Sequence, residues 1–161
     1  MALEDDIRAL RGIDLFSRLP EEALRLMAFG TNHAARRKGQ RLFTAGAPAM
    51  TAYVVLEGAV TLVDPGDDAG PRPVLGPGTL IGEYALFCDT TRPQTAVMAE
   101  DGELLEIPRL LMRRVLEEFP EVAEDMQAAF VARLGETMTG LARVREQLRA
   151  IGGESEDQGS G

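Results

Sequence analysis

The chain has 161 residues, 45% of them apolar, with 26 acidic against 17 basic side chains and a net charge of −9. That length suits one domain with a real core, no run approaches the roughly 18 consecutive apolar residues of a membrane span, and the acid excess repels nucleic acid and anionic membranes, so neither is expected as a direct partner. Cys88 is the single cysteine, which excludes an internal disulfide; with no secretory pattern in "MALEDDIRAL", a reducing cytoplasm is the expected location.

In chain order, "PEEALRLMAF" from Pro20 opens with proline in the first turn and acids beside the helix's positive end. Leu24, Met27 and Ala28 fall on one face, which predicts a short amphipathic helix. The dense basic run "ARRKGQR" contains a glycine turn and no aromatics, so it reads as a solvated hairpin corner and not as a nucleic-acid patch. From Arg41 the texture changes to short β-prone pieces: "RLF", "AYVVLE", "AVTLV", "RPVL", "TLIGE", "TAVMA" and "ELLEI". Glycines including Gly39, Gly58, Gly78 and Gly102 punctuate them, and "DPGDDAG" is the expected loose hairpin tip. Many short strands with glycine turns predict a sandwich or rolled barrel, and no βαβ alternation supports a doubly wound sheet.

After Ile107 the period becomes helical through "RLLMRRVLEEF", and Pro120 restarts a long helix. Val131, Leu134, Met138, Leu141 and Leu148 recur at steps of three and four, interrupted by Arg145, over only about two and a half heptads. This face either covers the β core or pairs with a second copy. For Val131 and Leu134 both readings stay open; for Leu141 and Leu148 a homodimer contact is favoured, since a terminal helix projecting from a small roll has little left to cover.

The densest chemistry lies in "IGEYALFCDTTRPQTAV". Residues Gly82 to Leu86 predict one helical turn whose first N–H groups lack internal partners and suit an anion. Arg92 follows across a short loop and can grip a phosphate through paired charge-assisted hydrogen bonds. An ionised Glu83 offers only acceptors, so its partner beside a phosphate is a sugar hydroxyl. A phosphate and a ribose hydroxyl held close together satisfy both groups.

Together with "IDLFSRLPEEALRLMA", "KGQRLFTAGAPAMTAYVVLEGAVTLV", "LGPGTLIGEYALFCDTTRPQT" and "FVARLGETMTGL", this stretch resembles the cyclic-nucleotide-binding domain, as found in regulatory subunits of cAMP-dependent protein kinase and in the bacterial catabolite activator protein. Ile81, Gly82, Glu83, Ala85, Leu86 and Arg92 match the family's phosphate cassette. The resemblance implies a mainly β fold with flanking helices: an eight-stranded β roll, that is, a double-stranded β-helix or jelly roll, with an N-terminal helix and a long C-terminal helix. The expected organisation is one domain over residues 1–151, comprising N-terminal helices (1–35), the β roll (36–107) and C-terminal helices (108–151), with a disordered acidic tail over 152–161.

By resemblance, Arg92 meets the cyclic phosphate, Glu83 the ribose 2′-hydroxyl, and the Ala85 N–H another phosphate oxygen. Gly82, Tyr84, Pro93, Gln94 and Thr95 complete the expected cassette. Thr137 matches by spacing a threonine that contacts adenine from the long helix; the alternative is an exposed helical threonine. Pro93 departs from the family, which places a small residue with an N–H there. Losing that donor lowers affinity by roughly tenfold to a hundredfold, and Gln94 either replaces the donor or crowds the pocket. Guanine-selective members carry threonine after the arginine, so adenine, and hence cyclic AMP, is favoured.

Tyr53 reads as packing, Cys88 as a small filler, and His33, the single histidine, cannot supply a cupin-like metal site. No nucleophile–base pairing is visible, so no catalytic residue, metal or cofactor is expected. The resulting expectation is a sensor that binds a cyclic nucleotide and relays occupancy through its C-terminal helix to an unidentified downstream protein. The alternative is a degenerate fold serving as a dimerisation or docking unit. Transcription factors of the superfamily add a helix-turn-helix after the long helix; direct DNA binding is not expected here if these residues are the whole gene product.

Overall fold

The computed structural model describes residues 2–66 and 72–132. Two helices open the chain: α1 (Ala2–Arg11) and α2 (Glu21–Gly30). In α1, Glu4 and Asp5 lie in the first turn and Arg8 and Arg11 in the last, which complements the helix dipole. Pro20 sits one position earlier than expected, at the α2 N-cap, with φ −66°. The face formed by Ala23, Leu24, Met27 and Ala28 is buried, as the spacing predicts. Ile13, Leu15, Phe16 and Leu19 in the connection are buried as well, so the two helices and their link form one apolar layer.

Eight strands follow among the described residues: β1 (Asn32–Arg36), β2 (Arg41–Phe43), β3 (Pro48–Ala49), β4 (Thr51–Val63), β5 (Val74–Leu75), β6 (Leu80–Ile81), β7 (Thr90–Thr91) and β8 (Thr95–Pro108). All their pairings are antiparallel. The spine is β4 against β8, running from Thr51↔Pro108 to Val63↔Thr95. β1 and β2 share the other edge of β8, β5 and β6 share the other edge of β4, and β3 pairs with β7 as a separate ribbon. The fold is a mainly β roll with flanking helices.

Several boundaries differ from the sequence reading. The first strand starts at Asn32, inside the stretch assigned to helices, because the Asn32↔Glu106 to Arg36↔Gly102 ladder holds a segment of weak β-propensity extended. The basic corner does not join a hairpin, since β1 and β2 each pair with β8 and not with one another. "AYVVLE" and "AVTLV" form one strand, as do "TAVMA" and "ELLEI". Gly58 and Gly102 therefore lie within long strands, where the β4–β8 register shifts. A Cβ on Gly58, at φ +83°, would meet the Asp101 carbonyl oxygen at 2.6 Å, and one on Gly102 would collide with the Glu57 carbonyl. These glycines let the two strands close on each other at a bulge.

Inside the roll, Tyr53, Val55, Val60, Ile81, Ala96, Met98 and Leu104 form the core, flanked by Leu42, Phe43, Leu62 and Leu75. The opposite side of the spine, with Ala52, Val54, Leu105 and Ile107, is buried too. α1 touches β4, and α3 (Arg109–Glu118) touches β8 and α2. Burial on both faces explains why this part of β4 reads as a continuous apolar run without strict alternation.

Pro108 is the N-cap of α3, whose Arg109, Met112 and Val115 are buried. Leu111 packs against bare Gly30, where any Cβ would strike its methyl group. The helix ends at Phe119, and residues 120–132 are helical again after Pro120. The chain divides into two compact units, Met1–Ala123 and Glu124–Gly161. Of the second, only residues 124–132 are described. Leu134, Met138, Leu141, Arg145 and Leu148 of the expected seam, and the acidic tail, lie outside the described residues, as does most of the expected hairpin tip.

Candidate functional site

A cavity of about 360 Å³ opens in the first unit between the β6–β7 segment and the β4 side of the roll. Of the expected cassette, Gly82, Glu83, Tyr84, Ala85, Arg92, Pro93 and Gln94 are brought together along its wall, and Thr95 is not. Its geometry begins with Ile81, paired to Tyr53 across β6 and β4. Gly82 then adopts φ +76° and leads into a 3-10 turn over Glu83–Leu86. This position needs glycine for a second reason: a Cβ there would stand 2.6 Å from Arg92 Nη1.

Arg92 is fixed from backbone to tip. Its N–H donates to Ala47 O at 2.8 Å and its carbonyl accepts from Gly46 N–H at 2.7 Å. The residue is only 6% exposed, and its Nη2 donates to Thr51 O at 2.6 Å. It stacks 4.2 Å above the Phe43 ring and lies 5.9 Å from the Tyr53 ring, both favourable for a cation. Its Nε is buried without a hydrogen-bond partner, and among the described residues no carboxylate forms an ion pair with it. Burial lowers the Arg92 pKa, an effect the nearby Tyr53 opposes. Arginine nonetheless stays protonated in proteins. A buried cation with an idle donor on a cavity wall is costly to keep unless an anion completes it.

The remaining cassette donors are largely committed elsewhere. The Ala85 N–H donates to Gly82 O at 3.1 Å within the turn. Pro93 has no N–H, and Gln94 Nε2 donates to Asp64 Oδ1 at 2.9 Å. Thr95 is not among the lining residues; its Oγ1 accepts from the Ala45 N–H at 2.9 Å. Thr137 lies outside the described residues.

Phe43, Ala49, Leu62, Thr90 and Thr91 also line the cavity and escape the sequence reading. Phe43 carried a faint signal, as the aromatic of the strand "RLF" that precedes a glycine turn. Nothing local linked it to Arg92. Tyr53 packs in the core and its hydroxyl pKa is raised, first by burial. Cys88 is exposed, with Sγ 3.3 Å from Tyr84 O. His33 is clasped between two acids: Nε2 lies 2.7 Å from Asp6 Oδ2 and Nδ1 2.6 Å from Glu103 Oε1. Those two hydrogen bonds raise its pKa above 6.5. Among the described residues no group of histidine, cysteine and acidic side chains is arranged to hold a metal, and no helix is long and apolar enough to cross a membrane.

Comparison with known families matches residues 35–119 to the cyclic nucleotide-binding domain. The chain belongs to this family. The matched span takes in the whole cavity-lining cassette and stops short of Thr137. The domain is 30% identical over 129 residues to the Cyclic AMP receptor protein of Thermus thermophilus, covering 79% of this chain and 60% of that protein. It is 30% identical over 98 residues to Lysophospholipase NTE1 of Chaetomium globosum, covering 60% of this chain and 6% of that protein. Among solved structures, a cyclic nucleotide-binding-like protein from Brucella abortus superposes with a TM-score of 0.64 at 40% identity, covering 70% of this chain and 98% of that one. This cyclic nucleotide-binding domain thus spans less than two thirds of the length of both curated relatives.

Proposed function

We propose that this chain is a non-catalytic sensor module whose cavity takes a cyclic nucleotide, with cyclic AMP favoured. The observation that carries the reading is Arg92: a buried cation stacked on Phe43, with no carboxylate paired to it among the described residues, in the wall of a cavity of nucleotide-compatible size. Its charge suits one phosphodiester anion, and Glu83 on the same wall suits the ribose hydroxyl. Relay of occupancy through the C-terminal helix, and a homodimer formed by it, belong to the same proposal and rest on the family resemblance. The Thermus relative is named a Cyclic AMP receptor protein, which supports a receptor role for this chain.

A second reading, a degenerate docking unit, is favoured by one feature. Pro93 lacks a donor, and Gln94 is turned to Asp64 and does not replace it. Titration of the purified chain with cyclic AMP and cyclic GMP, beside Arg92→Ala, separates the two. The sensor reading expects tighter binding of cyclic AMP and a loss of about 2–5 kcal/mol in the variant. Equal, weak binding by both proteins would favour the docking unit.

A further inference from the structure

Arg109, the first residue of α3, is 8% exposed and each of its guanidinium nitrogens has a partner. Nε donates to Ala85 O at 2.6 Å, Nη2 donates to Ala49 O at 2.5 Å, and Nη1 pairs with the Asp89 carboxylate. Its backbone N–H donates to Met50 O at 3.0 Å. Ala85 and Ala49 are both walls of the cavity, and Asp89 precedes Thr90, a third. Ala49 and Thr90 are themselves register partners in the β3–β7 ribbon. One planar cation therefore fastens the 3-10 turn, the loop leading to Arg92 and the β3 edge from behind, and it does so from the first turn of a helix.

We propose that Arg109 is the positioning residue that holds the cavity wall in its binding shape and transmits a change of that wall to α3. The inference rests on the reading of the cavity as a nucleotide site. A ligand seated at Arg92 draws on the same turn and loop that Arg109 grips, so the affinity of the cavity and the protection of the α3 backbone are linked. Lysine keeps the charge but offers one nitrogen in place of a rigid fork, so it cannot reach two carbonyls and a carboxylate in this geometry.

The test compares wild type, Arg109→Lys and Asp89→Asn by cyclic AMP titration and by amide hydrogen exchange with and without cyclic AMP. Arg109→Lys should bind cyclic AMP about tenfold or more weakly. Cyclic AMP should slow exchange over Met112–Val115 in wild type and not in the variant. Without ligand, Arg109→Lys should speed exchange over Tyr84–Asp89 while Tyr53–Val55 in β4 keeps its rate. Unchanged exchange over Tyr84–Asp89, or equal acceleration in β4, overturns the proposal, the latter by showing a merely structural role. Should Arg109→Lys fail to fold, Asp89→Asn alters an exposed side chain; it should speed exchange over the same segment, and no change there counts against Arg109. Failure of wild type to bind cyclic AMP sinks the nucleotide reading, while the ligand-free exchange still decides the role of Arg109.

Discussion

Replacing Pro93 by alanine should tighten nucleotide binding, against the usual expectation that a substitution in a binding loop weakens it. The Arg92 carbonyl accepts from Gly46 N–H at 2.7 Å, and no peptide bond among the described residues is cis. In a trans peptide the following N–H points opposite to that carbonyl. An N–H on residue 93 would therefore point away from Gly46, at a position that lines the cavity. A hydrogen bond to a charged oxygen contributes about 1.5–3 kcal/mol. Freeing φ at this position costs about 0.4–1 kcal/mol of folding stability through the unfolded chain and leaves the binding step untouched. The gain in binding is therefore about 1.5–3 kcal/mol, or roughly tenfold to a hundredfold in Kd. Calorimetric titration of both proteins with cyclic AMP measures it, and adenosine, which carries no phosphate, serves as the control and should show no gain. A folded Pro93→Ala protein whose cyclic AMP affinity is unchanged, or one that gains equally for adenosine, would refute the reasoning.

The His33 clasp predicts a pH-dependent stability. Asp6 from α1 and Glu103 from β8 face the two ring nitrogens and raise the pKa above 6.5. Because the folded value is the higher one, the stabilisation is fully present below pH 6.5 and is lost as pH rises through the folded value. Denaturant unfolding should show wild type losing stability across that window and His33→Gln showing no such trend; a matching slope in both proteins would clear His33. The strand glycines separate sterics from backbone conformation. Gly102→Ala, which drives a methyl into the Glu57 carbonyl, should cost about 1–3 kcal/mol. Gly39→Ala, at φ +89° with nothing within 4 Å, should cost only the left-handed penalty of about 1–2 kcal/mol. Thermal unfolding of the two variants ranks them, and a larger loss at Gly39 would reverse the assignment.

What the sequence reveals here depends on how local the cause is. Proline-led helix starts at Pro20 and Pro120, and the apolar face of α2, arise within one or two turns and are legible. The same holds for the cassette, since Gly82, Glu83 and Arg92 sit within one short stretch and each carries its own chemical signature. Gly58 and Gly102 were misleading, because a turn and a close approach of two strands both require the missing Cβ. Without the β4–β8 register nothing distinguishes them. β1 escapes the sequence reading because its residues have little β-propensity of their own and owe their extension to β8. Phe43 beneath Arg92, the Thr51 carbonyl and the Arg109 fork are tertiary partners, far along the chain from what they hold, and no periodicity announces them.

One consequence concerns timing. The long side chain of Arg92 surrenders its rotamers when the roll folds, to the Thr51 carbonyl and the faces of Phe43 and Tyr53. That entropy is spent before any anion arrives, so association need not freeze it again. The encounter is then limited by entry into the cleft, and tighter variants of this domain should differ chiefly in how slowly the guest departs.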